Sequence, residues 1–131
     1  MNTKGKNILI VDDDIDFLMQ AKICIEQAGY KVVTAESQKE GESQIENFKP
    51  DLAIFDLMME KDDSGFILSY KLKKRYPDVP VIIATAVTAE TGMIFGINNQ
   101  ENNPWIKADK YLDKNLRPDQ LKREITKLLG S

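Results

Sequence analysis

Histidine is absent from the 131 residues, which removes Ser-His-Asp and Cys-His nucleophile schemes and every histidine-ligated metal site. The one cysteine, Cys24, excludes an internal disulfide. It lies in an apolar helical pattern, where it reads as a small core residue, and a reducing cytoplasm is the expected compartment. No apolar run approaches the length of a membrane span. The first, Ile8–Val11, is too short and too quickly followed by acids to be a signal peptide. With 18 basic against 21 acidic residues, net charge -3, the chain also lacks the positive excess that would draw it directly to nucleic acid. What is left for chemistry is carboxylates, hydroxyls and lysines, in a chain whose 42% hydrophobic and 30% charged residues fit one globular domain, residues 1–131 with a core over about 6–129.

Short apolar runs stand at Ile8–Val11, Val32–Val33, Leu52–Phe55, Val81–Ala84 and Tyr111–Leu112, and a longer amphipathic stretch follows each. Phe17, Leu18, Ala21, Ile25 and Ala28 keep helical spacing, and Gly29 stops that helix. Ser37 and Glu40 form a capping-box pattern for a second helix, whose inner face includes Ile45 and Phe48 and which Pro50 ends. A third starts near Gly65 and closes before Pro77. The last has Pro118 in its first turn, apolar Leu121, Ile125, Leu128 and Leu129, and Gly130 as its stop. Between the fourth helix and the last strand, the Asn-rich stretch 95–107 reads as an extended loop. Regular alternation with uniformly apolar strands predicts an α/β fold, a parallel sheet covered by helices on both faces, with ligands expected beyond the carboxyl ends of the strands.

At those ends stand Asp12 and Asp13 after the first strand, Asp56 after the third, Thr85 after the fourth and Lys114 after the fifth. Taken alone, Asp12 and Asp13 would suit a solvated helix start. Three carboxylates converging on a partly buried cleft repel unless a cation neutralises them. Hard oxygen ligands favour magnesium, which is usually held by one or two carboxylates together with phosphate oxygens. An aspartate beside such a metal can act as a nucleophile toward phosphorus and form an acyl phosphate. Asp56 is the candidate. The Lys114 ammonium and the Thr85 hydroxyl would meet other oxygens of the transferring group.

These residues resemble, over essentially the whole chain, the receiver domains of two-component response regulators. The motifs that carry the resemblance are the acid pair Asp12-Asp13, "IFDLMM" around Asp56, Thr85-Ala86 and "ADKYLDK" ending at Lys114. The resemblance implies a flavodoxin-like, doubly wound five-stranded parallel sheet of order 2-1-3-4-5 with five helices. It makes Asp56 the phospho-acceptor, and Asp12, Asp13, Asp56 and the Met58 backbone carbonyl the ligands of Mg2+, for which Mn2+ can substitute. Thr85 and Lys114 then contact the phosphoryl group, and Tyr111 is the aromatic that switches with Thr85. The implied partner is a sensor histidine kinase or a histidine phosphotransfer domain, with no direct contact to nucleic acid or membrane. A receiver catalyses its own phosphorylation and dephosphorylation but turns over no separate substrate, and so is not an enzyme in the ordinary sense.

Three departures stand out. Asn115 follows Lys114 where the family usually has proline, often cis, a geometry that costs a non-proline bond about 3 kcal/mol. The loop "MMEKDDSGF" lacks the common proline, and its Asp62 and Asp63 read as solvated rather than as ligands. The span from Thr85 to Lys114 is longer than the family norm, which alters the output face. Met58 and Val87, two residues past Asp56 and Thr85, are apolar and unable to orient water, so a slow autodephosphorylation is expected. Two other classes are weighed beside this one. A haloacid-dehalogenase-type phosphatase needs an aspartate where Met58 stands. A degenerate, phosphorylation-independent binding module would have no need of the intact acids, threonine and lysine.

Overall fold

The computed structural model describes residues 6–57, 64–85, 110–113 and 118–129. Five strands, β1 (Asn7–Val11), β2 (Lys31–Ala35), β3 (Leu52–Asp56), β4 (Val81–Thr85) and β5 (Lys110–Asp113), form one sheet of order β2-β1-β3-β4-β5. Every pairing is parallel. The described helices are α1 (Ile15–Gln27), α2 (Gln38–Asn47), α3 (Ser64–Arg75) and α4 (Pro118–Leu129). The doubly wound parallel sheet expected from the sequence is therefore present. The fifth helix that the resemblance implies, the Asn-rich stretch, Val87 and the Lys114–Asn115 peptide fall outside the described residues. Among the described residues, no helix is long and apolar enough to cross a membrane.

Alternation of side chains along each strand divides the core in two. Ile8, Ile10, Leu52, Ile54, Ile82, Ala84 and Leu112 pack with Leu18, Ala21 and Ile25 of α1 and Leu121 and Ile125 of α4. On the opposite face Leu9, Val11, Ala53, Phe55, Val81 and Ile83 pack with Ile45 of α2 and Phe66, Leu68 and Leu72 of α3. Strands covered on both sides have no reason to alternate apolar with polar residues, which is why they read as unbroken apolar runs.

Local chemistry sets the helix ends. Asp14 is the N-cap of α1, and its side chain accepts from the Phe17 N–H. The helix closes at Ala28, and the chain turns through Gly29 at φ 102, a conformation open to glycine without strain. Ser37 caps α2 by accepting from the Glu40 N–H at 3.1 Å, while the Glu40 carboxylate accepts from the Glu36 N–H at 2.6 Å. The capping box is thus present, with its return bond one residue earlier than in the ideal motif. Helix α2 ends at Asn47, so Phe48 departs from the expectation. It is an extended C-cap residue that packs on the core from outside the helix. Cys24 is half-buried, not a full core residue. On the outer side of α1, Ile15, Met19 and Ile23 form a stripe at intervals of four, each about half exposed.

Candidate metal centre at the strand ends

Register and alternation bring the acids together. Val11 of β1 pairs with Phe55 of β3, so the next residues, Asp12 and Asp56, stand level on adjacent strands. Both continue the alternation of Ile8, Ile10, Leu52 and Ile54 and share the α1 side of the sheet. Asp12 keeps its place in the ladder through its N–H, which donates to the Ala35 carbonyl at 3.0 Å. Beyond Asp56, the Leu57 N–H donates to the Ala84 carbonyl at 2.8 Å. The acid-bearing ends of β1 and β3 are thereby tied to their outer neighbours, β1 to β2 and β3 to β4.

Asp12 is 1% exposed and Asp56 5% exposed, whereas Asp13 is open to solvent. One carboxylate oxygen from each of the three lies within 4.8 Å of the others. Magnesium–oxygen bonds of about 2.0–2.1 Å place ligand oxygens about 3 to 4 Å apart around one ion. Small side-chain adjustments would therefore let this all-oxygen, triply anionic set share a divalent cation. Two buried carboxylates beside a third are expensive to keep ionised without one.

Gly65, in the first turn of α3, closes the site from behind. Its N–H donates to the Leu57 carbonyl at 2.8 Å, and a Cβ there would stand 2.7 Å from both the Asp56 carbonyl oxygen and the Leu57 Cα. Only glycine lets α3 approach β3 this closely.

Of the residues singled out from the sequence, the fold brings Asp12, Asp13 and Asp56 into one cluster. The backbone of Thr85 ends β4, one residue past Ala84, the register partner of Asp56, and Tyr111 pairs with Ile83 on β5. Lys114 and Met58 lie outside the described residues, as do Asp62 and Asp63. The helix-start role, weighed for Asp12 and Asp13 and set aside there, belongs to Asp14. Sequence reasoning passed over that residue, although a third acid three places before Phe17 is the spacing of an N-cap.

The chain is similar to known proteins over nearly its whole length. The family profile described as a response regulator receiver domain matches residues 8–126. The phosphate regulon transcriptional regulatory protein PhoB of Pseudomonas aeruginosa is 32% identical over 127 residues, covering 95% of this chain and 52% of that protein. The chain thus spans about half the length of the curated relatives it matches. A CheY-like receiver domain protein from Methanospirillum hungatei superposes with a TM-score of 0.81 at 31% identity, covering 97% of this chain and 95% of the other. The response regulator TrrA of Thermotoga maritima, solved in complex with Mg2+ and BeF, gives a TM-score of 0.76 at 27% identity, covering 94% and 98%.

Proposed function

This chain belongs to the response regulator receiver family, and from that premise we propose that Asp56 is its phospho-acceptor, with Asp12 and Asp13 completing the carboxylate set that binds Mg2+. The observation that carries this reading is the convergence of three carboxylate oxygens, two of them on nearly buried residues, at the ends of β1 and β3. The receiver complex with Mg2+ and BeF among the solved relatives supports the same choice of ion.

The donor is a phosphohistidine of a sensor histidine kinase or a histidine phosphotransfer domain, and it lies outside this sequence, which has no histidine. An Asp56 carboxylate oxygen attacks the phosphorus, the P–N bond breaks, and the imidazole departs with the electron pair. When bound, the metal supplies neutralisation of the phosphoryl charge. Asp12 and Asp13 hold it there, together with the Met58 carbonyl. The Lys114 ammonium and the Thr85 hydroxyl bind the remaining phosphoryl oxygens, and movement of Thr85 toward them draws Tyr111 inward, which changes the surface a partner reads. The domain is a cytoplasmic switch and turns over no separate substrate. Apolar Met58 and Val87 leave the acyl phosphate long-lived, and Met58→Asn with Val87→Glu should shorten its half-life; an unchanged decay of the labelled protein would remove this point.

Intact mass after incubation with a small-molecule phosphodonor tests the main proposal. A single phosphoryl adduct that requires Mg2+ and is lost in Asp56→Asn is the expected result. A folded chain that takes no adduct would instead be a binding module that works without phosphorylation.

A further inference from the structure

The turn between β1 and α1 ties Asp14 to Asp12. The Asp14 N–H donates to Asp12 Oδ1 at 2.8 Å. The Asp14 side chain is turned the other way, with Oδ1 accepting from the Phe17 N–H at 3.2 Å, and the Asp14 carbonyl accepts from the Leu18 N–H at 3.0 Å. Its backbone, at φ -91 and ψ 102, has the extended geometry of an N-cap residue. In that geometry the N–H of the cap residue is outside the helical ladder and points back toward the strand. Asp12 is almost wholly buried, so protein donors rather than bulk water set the orientation of its carboxylate. The Asp14 carboxylate is not among the three groups whose oxygens converge.

We propose that Asp14 is a positioning residue: by capping α1 it fixes the peptide whose N–H aims the Asp12 carboxylate into the cluster. This rests on the reading of the cluster as a divalent cation site. Groups that orient a ligand by hydrogen bonding typically change metal affinity by about 10-fold or more when lost. The capping acceptor, not the negative charge, is what the role requires. Asparagine caps as well as aspartate and carries no charge, whereas alanine is equally uncharged but cannot cap.

Calorimetric titration with Mg2+ of the unsubstituted protein, Asp14→Ala, Asp14→Asn and Ser37→Ala separates these roles, with thermal unfolding run on each to verify folding. Ser37→Ala removes a comparable cap from α2 and controls for a general loosening of the fold. The expected result is an affinity lowered about tenfold in Asp14→Ala and little changed in Asp14→Asn and Ser37→Ala. Unchanged affinity in Asp14→Ala would overturn the proposal. So would an equal loss in Asp14→Asn, which would assign the effect to charge, or an equal loss in Ser37→Ala, which would assign it to stability. Absence of Mg2+ binding by the unsubstituted protein would overturn the metal-site reading and this inference together. Normal binding there with normal binding in Asp14→Ala would remove only the inference.

Discussion

A hydrogen atom is all that Gly65 can present to the backbone of Asp56 and Leu57, because a Cβ would lie 2.7 Å from atoms that have no side-chain freedom to yield. Gly65→Ala must therefore move α3 or the end of β3, and a loss of about 1–3 kcal/mol in chemical denaturation is expected. The displaced backbone belongs to Asp56, so Mg2+ affinity should fall with stability. The acids themselves carry a second expectation. Mg2+ at about 100 times its dissociation constant should stabilise the folded protein by about 2.7 kcal/mol, visible as a rise in Tm over the chelator-treated sample. In chelator, Asp56→Asn removes one of three crowded charges, so its Tm should lie above that of the unsubstituted protein, and Mg2+ should shrink or reverse the difference. The positions of Asp12, Asp13 and Asp56 were legible because Asp12 and Asp56 directly follow apolar runs and Asp13 adjoins Asp12. Which acid in a row of three is buried, which is exposed and which caps the helix was not, since a one-residue difference in where β1 stops reassigns all three. The need for glycine at position 65 was equally hidden: it arises from a contact between elements, which no local pattern encodes.

The helices show the contrast between their two sides. Ile25 is fully buried between α1 and the sheet, so Ile25→Ala should cost about 2–5 kcal/mol of unfolding free energy. Met19, on the outer stripe of the same helix and itself 55% exposed, should accept glutamine within about 0.5 kcal/mol. Loss of the Ser37 cap in Ser37→Ala belongs between these, at about 1 kcal/mol by denaturant titration. Helix starts were legible from Ser37 and Pro118, whose chemistry acts within one turn. Phe48 was misplaced because its hydrophobicity fits the helical period, while the chain has already become extended at that residue. Its packing on the α2–α3 core is made from the far side of the cap. Between the same two helices Lys71 meets Glu42 at 3.1 Å, a pair of one exposed and one half-buried side chain that no periodicity announces and that, still open to water, contributes little energy.

The order β2-β1-β3-β4-β5 was legible only through the family resemblance. Alternation of strands and helices dictates a parallel sheet, but periodicity carries no information on which strand lies beside which. That order makes β1 and β3 interior strands with neighbours on both sides, and their residues Ile8–Val11 and Leu52–Phe55 are all at most 1% exposed. Native-state hydrogen exchange should therefore find the slowest amides in β1 and β3 and faster ones in the edge strand β5. The central place of β1 also orders events in time. As the chain leaves a ribosome, β1 can pair with β2 after about one helical crossover, yet its other edge must wait for β3, which begins at Leu52. Until then the apolar edge of β1 is open, and the acids that follow it have no Asp56 to meet. The chemistry of the cluster thus comes into being at the same step that closes the middle of the sheet.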